Sequence, residues 1–133
     1  MLPGWEMLSP YKPVRSLGGN FFLPAKQGGG SGWITIRSSG IGESLPSDGV
    51  RVTPTHVAGM ARLESSNTEP VLATKPGAHH YRFEGIEFTI APEAMLNYGI
   101  IRLGEGNETD SSLLPHDLVF DRCYIHGHAT ADL

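Results

Sequence analysis

The sequence predicts an all-β chain wound as a parallel β-helix. Three observations carry that expectation: short apolar alternations punctuated by turns, a set of apolar positions that recurs at an offset of 37, and the lack of helical periodicity. Seventeen Gly and ten Pro against 8% aromatic and 18% charged residues describe a turn-rich chain, and 39% apolar content keeps it out of the disordered class.

The chain of 133 residues is long enough for one domain with a single core. Residues 1–16 are expected to form an irregular N-terminal segment, because Pro3, Pro10 and Pro13 interrupt it. It holds no apolar run of seven or more, so neither a signal peptide nor a membrane span is encoded there. Residues 17–133 are expected to form the N-terminal cap and first coils. Between Gly18-Gly19-Asn20 and the glycine-rich stretch Gly28 to Gly32, Phe21, Phe22 and Leu23 form a short strand or cap. From Trp33 the residues alternate, with Ile34 and Ile36 on one face and Trp33, Thr35 and Arg37 on the other, which is a half-buried strand. Gly40 to Gly59 carries Pro46, Gly49 and Pro54 and few aliphatics, and is expected to be an outward loop, with Val50-Arg51-Val52 as a two-sided exception.

The repeat lies further on. Tyr81, Phe83, Ile86 and Phe88 match Leu118, Phe120, Cys123 and Ile125 at one offset, and the residues between them alternate outward in both copies. The period of two breaks at Glu84-Gly85 and again at Asp121-Arg122, so each copy reads as a strand, a corner and a second strand. A second pair, Gly59 to Leu63 against Gly99 to Leu103, repeats at an offset of 40. Such units bury their apolar faces only by stacking on neighbours, as solenoids do. A β-sandwich with chance similarity is the competing fold. One coil of 37 residues is favoured over two plain ones, because Ala91 to Tyr98 and Gly104 to Pro115 are broken or polar enough to be loops.

Four segments carry a family resemblance: Phe21 to Lys26, Gly32 to Ser39, Ala78 to Phe83, and His116 to Gly127 with its closing Tyr-Ile-His-Gly. Together they resemble bacterial right-handed parallel β-helix proteins of the pectate-lyase-like superfamily, over about Phe21 to Thr130. The resemblance implies an extracellular or cell-surface setting, polysaccharide as partner, and calcium as the one cofactor to consider. Relative to that family the chain has few rungs, and it is expected to be an N-terminal fragment, incomplete at its C-terminal end. An open last coil leaves unpaired backbone and apolar surface, a route to self-association.

The net charge of −4 gives no basic field for nucleic acid or an anionic membrane surface. A single cysteine, Cys123, excludes an internal disulfide framework and a cysteine-based zinc site, and is read as a core residue. If the second repeat holds, Arg62 and Arg102 point outward from neighbouring rungs about 4.8 Å apart. A uronate carboxylate would relieve their repulsion, since guanidinium forks bind carboxylates bidentately; pairing with Glu64 or Glu105 is the competing reading. Asp117, Asp121, Arg122, His126 and His128 gather near the last rung, and Glu84 and Asp121 sit at equivalent corners, about 5 Å apart if the rungs stack. Glu84, Asp121, Arg122 and His126 are therefore the catalytic candidates for an acid/base mechanism.

His126, His128 and His116 would make a metal site only if they converged, and turn histidines without a ligand are the expectation, as they are for His79 and His80. Gly28 to Gly32 lacks the context of a phosphate loop, and the sequon at Asn107 bears only on a eukaryotic secretory protein. Two functions stay open: a polysaccharide lyase or glycoside hydrolase, and a non-catalytic carbohydrate-binding or surface scaffold. A truncated chain without independent function is the third.

Overall fold

The computed structural model describes residues 16–26 and 30–129. The segment through residue 15, residues 27–29 of the glycine-rich stretch and residues 130–133 lie outside the described residues. The described residues form ten short strands in order: β1 (Ser16–Gly18), β2 (Phe21–Leu23), β3 (Ile34–Arg37), β4 (Ala61–Ser65), β5 (Leu72–Thr74), β6 (His79–Glu84), β7 (Ile86–Ile90), β8 (Ile101–Arg102), β9 (His116–Asp121) and β10 (Tyr124–Ile125). The only helical pieces among the described residues are short 3-10 segments at Pro54–Gly59 and Ser111–Leu113.

The strands form three parallel sheets, ordered β1-β4-β7-β10, β2-β5-β8 and β3-β6-β9. Each coil gives one strand to each sheet before the chain returns beside its starting point. Parallel neighbours need long crossovers, and here the other two strands of the coil supply them. The fold is thus all-β, with parallel sheets consistent with a β-solenoid. The expected 37-residue coil is present: β6 pairs with β9 through Tyr81–Leu118 and Phe83–Phe120, and β7 with β10 through Phe88–Ile125. The second repeat is corrected. Arg62 pairs with Glu87 on the β1-β4-β7-β10 sheet, whereas Arg102 pairs with Ala73 on the β2-β5-β8 sheet. The coil from Arg62 to Glu87 is too short to accommodate an offset of 40, so the two Arg-Leu strings are alike in composition but not equivalent in place.

Register brings like side chains into columns that run through the coils. Leu17, Leu63, Phe88 and Ile125 form one, and Ile36, Phe83 and Phe120 another, with the Phe83 and Phe120 rings stacked 5.2 Å apart. Burial is greatest in the middle of each column. Phe88 and Phe83 are 0% and 1% exposed, while Leu17 and Ile125 at the ends are 51% and 47% exposed. The same effect corrects the expectation for β3: Ile34 and Ile36 face inward by register but remain exposed, because β3 is the last described strand of its sheet. Cys123 packs against the core and is half-buried, and desolvation raises its thiol pKa.

Two backbone devices recur with the repeat. Gly85 (φ 66°) and Arg122 (φ 52°) turn the corners between strands, and His80 (φ 60°) and Asp117 (φ 51°) form paired irregularities inside β6 and β9. Both departures are matched between β6 and β9, and the ladder between these two strands continues past them. The Gly40–Gly59 segment, expected to project outward, instead folds back over the first of these corners. Leu45 is buried, and its side chain and that of Ile41 lie where a Cβ at Gly85 would go. Val50-Arg51-Val52 forms no strand; it faces Phe120, Cys123 and Ile125 across a cavity of about 760 Å³ at the last coil.

The turn from β4 to β5 is held by amides from the coils on both sides. Asn20 Nδ2 donates to Pro70 O at 2.9 Å, and the fully buried Asn97 donates to Glu69 O at 2.7 Å and Asn67 O at 2.9 Å. These bonds satisfy carbonyls that no strand reaches.

Gly85→Ala should destabilise the chain by about 2 kcal/mol, combining the cost of a left-handed residue with displacement of Leu45. Urea unfolding followed by far-UV circular dichroism measures this, and a change under about 0.5 kcal/mol would contradict the account of the corner.

Candidate functional site

The catalytic candidates Glu84 and Asp121 are register neighbours, as expected, but they are bound to guanidinium groups rather than open to a substrate. Arg82 donates through Nε to Glu84 Oε2 at 2.6 Å and through Nη2 to Asp121 Oδ2 at 2.9 Å. Arg122 donates to both oxygens of Asp121 at 3.2 and 3.0 Å and to Pro46 O at 3.1 Å. Arg37 Nη2 stands 2.8 Å from Glu84 Oε1, close enough for an ion pair although the angle is not that of a hydrogen bond.

These contacts fix the protonation of both acids. The Arg82 hydrogen bond holds the Glu84 carboxyl below its ordinary value against the opposing effect of burial, and Arg122 does the same for Asp121. A carboxyl tuned in this direction is a poor general acid, because that role needs a raised pKa. The two acids are equally unsuited to calcium, since their oxygens already face cations.

His126 lies apart, on the outer face of the β4–β7–β10 sheet. Its Nε2 is 2.6 Å from Glu87 Oε2, its ring stacks 4.3 Å from Tyr124, and Glu87 Oε1 accepts from Arg62 Nε at 3.0 Å. Arg62 is thus neutralised by Glu87, with Glu64 at 4.0 Å. The structure does not bring Arg62 and Arg102 together.

Arg102 is different. It is exposed on β8, and among the described residues no carboxylate forms an ion pair with it. With Tyr98, which is 76% exposed, it lines a depression of about 230 Å³ bordered by Thr68, Glu69 and Pro70. The Asn97 and Asn20 bonds to the neighbouring turn give this depression a fixed wall. The sequence singles out Arg102 but not Tyr98, which closes the segment expected to be a loop; an exposed aromatic beside this cation is visible only once the coil is closed.

His116 does not join His126. It stacks on His79, with ring centroids 4.9 Å apart, and His79 Nδ1 lies 2.7 Å from His80 Nδ1. Asp117 Oδ2 is 2.7 Å from His116 Nδ1 and 3.9 Å from His80 Nε2. Desolvation, followed by the neighbouring histidines, lowers the pKa of His79, and the hydrogen bond from His116 lowers that of Asp117. The signal was present in sequence: extending the 37-residue repeat backwards lays His79-His80 on His116-Asp117.

Comparison with protein-family models, with curated proteins and with solved structures finds no match for the chain.

The carboxylates make stability depend on acid. Both have folded pKa values below their ordinary 4.5 and 3.8, so the unfolded chain binds more protons than the native one at low pH. Their contribution is complete above the ordinary values and is lost as pH falls through the depressed ones. Urea midpoints should hold steady from about pH 8 to pH 6 and fall below about pH 4.5. Glu84→Gln should cost about 3 kcal/mol at neutral pH, by leaving guanidinium charge uncompensated, and should flatten the acid limb. An unchanged acid limb in this variant would refute the assignment.

Proposed function

We propose that the chain is a polysaccharide-binding part of a right-handed parallel β-helix akin to the pectate-lyase-like superfamily, acting at or outside the cell surface and recognising uronate-containing polymers without catalysing their cleavage. The observation that carries this reading is the exposed Arg102 beside Tyr98, in a depression whose wall is hydrogen-bonded in place. A guanidinium offers two parallel donors to a sugar carboxylate, and a tyrosine ring offers an apolar face with a polar tip to the pyranose. Glu69, which borders the same depression, supplies acceptors for hydroxyl groups.

The right hand is favoured by the general handedness of parallel crossovers, which is right in about 98% of cases. Binding is preferred to catalysis because Glu84 and Asp121, the two carboxylates placed as a pair, are held ionised by arginines, and His126 is occupied by Glu87. A lyase or glycoside hydrolase remains the second reading, favoured by the register that sets those two acids on neighbouring strands.

Affinity electrophoresis and calorimetry with oligogalacturonate test the proposal. Arg102→Ala and Tyr98→Ala should each weaken binding about 10-fold or more, consistent with the loss of a charge-assisted pair or an aromatic contact. Arg62→Ala should leave it unchanged. Binding that is insensitive to Arg102 overturns this reading, and ultraviolet absorbance of unsaturated uronate products would move the protein to the lyase class.

A further inference from the structure

The geometry points to a transition-metal site formed by His79, His80 and His116, one that takes a single Zn2+ ion with Asp117 orienting the third imidazole. The site is separate from the saccharide depression and does not depend on it. One ligand nitrogen from each of the three histidines falls within 4.8 Å of the others.

The convergence has a cause in the backbone. In a regular strand His79 and His80 would point to opposite faces. His80 instead adopts φ 60°, leaving the ladder, in which His79 pairs with His116 and Tyr81 with Leu118 while His80 has no partner. This irregularity brings the His80 ring beside that of His79, edge to face at 4.9 Å. Asp117 repeats the deviation at φ 51°, so a carboxylate accompanies His116 as His80 accompanies His79. Two stacked dipeptides, each bent in the same way, place three imidazoles and one carboxylate together.

The chemistry of the set favours zinc or a similar borderline ion. Three imidazoles are a known donor set for zinc, with Zn–N distances of about 2.0–2.1 Å. The hard cations calcium and magnesium prefer oxygen donors. A tetrahedral ion at that bond length needs donor nitrogens about 3.3 Å apart. His79 Nδ1 and His80 Nδ1 lie 2.7 Å apart and would part by about 0.6 Å to share the ion, while the half-exposed His116 ring, stacked on His79 and anchored to Asp117, presents its other nitrogen to the same place.

The 2.7 Å contact from His116 Nδ1 to Asp117 Oδ2 directs Nδ1–H towards the carboxylate and leaves Nε2 as the ligand nitrogen, the arrangement by which carboxylates fix histidine tautomers behind metals. Trp33 sits edge-on to His80 at 4.9 Å and walls one side, while the exposed side keeps a fourth position for water or a ligand oxygen.

Equilibrium dialysis of the intact chain against Zn2+, with Co2+ as a visible-spectrum reporter, tests the site. One ion per chain and a tetrahedral Co2+ spectrum are expected. His79→Gln and His116→Gln should each weaken Zn2+ binding about 100-fold, and Asp117→Asn about 10-fold, while His126→Gln should have no effect. Circular dichroism confirms folding of each variant. Histidine ring NMR on the unmodified chain needs no variant: Zn2+ should shift His79, His80 and His116 and spare His56 and His126. An absence of shifts, shifts confined to other histidines, or Zn2+ uptake undiminished in a folded His79→Gln, His116→Gln double variant overturns the assignment.

Discussion

Register between coils is the constraint on which the rest of the structure depends. Hydrogen bonds along a parallel ladder require that residues on adjacent strands advance together, so a side chain facing inward in one coil has an inward-facing neighbour in the next. The columns through Phe88 and Phe83 obey this rule, and so do the irregular positions. Gly85 with Arg122, and His80 with Asp117, share backbone conformations that L-residues rarely adopt. In one coil glycine meets the requirement without strain. In the next, Arg122 meets it under restraint from Asp121 and the Pro46 carbonyl. Differences in length are confined to connections such as residues 40–59, which leave the ladder and return to it without shifting the register.

The same stacking brings charges together and then dictates how they are used. Arg37, Glu84 and Asp121 occupy one column, and Arg82 in the adjacent column bridges both acids. Glu84 and Asp121 are like charges on neighbouring strands and would repel, so the guanidinium of Arg82 placed between them is what makes this corner stable. The consequence for chemistry is direct. A carboxylate that stabilises the stack by staying ionised has little capacity to exchange protons with a substrate. Groups available for ligands lie where the columns supply no opposite charge, at Arg102 on the short strand β8, and where the ladder is irregular, at the histidines that start β6 and β9.

Much of this was legible in the sequence, for a physical reason. The spacing of Tyr81, Phe83, Ile86 and Phe88 against Leu118, Phe120, Cys123 and Ile125 follows from interior stacking, which permits little else at those positions. The corner at Glu84-Gly85 was equally visible, since it breaks an alternation. The equivalence of Arg62 and Arg102 was not readable, because an aliphatic strand containing one arginine looks the same on any sheet; only coil length decides which sheet it joins. Nor could the exposure of Ile34 and Ile125 be read from the alternation, which reports direction and not the presence of a covering coil. The histidine cluster lay within reach, two residues upstream of the repeat already aligned.

The gradient of burial along the columns has a kinetic meaning. A globular core shares its cohesion among all its elements, but in a stack each coil leans only on the coils beside it. With Phe83 and Phe88 enclosed and Leu17 and Ile125 partly open, cohesion is concentrated around β4 to β7. Amide hydrogens there exchange last, and those of the flanking strands exchange through smaller openings that spare the centre. Among the described strands, loosening should therefore start at the flanks and reach the middle coil last.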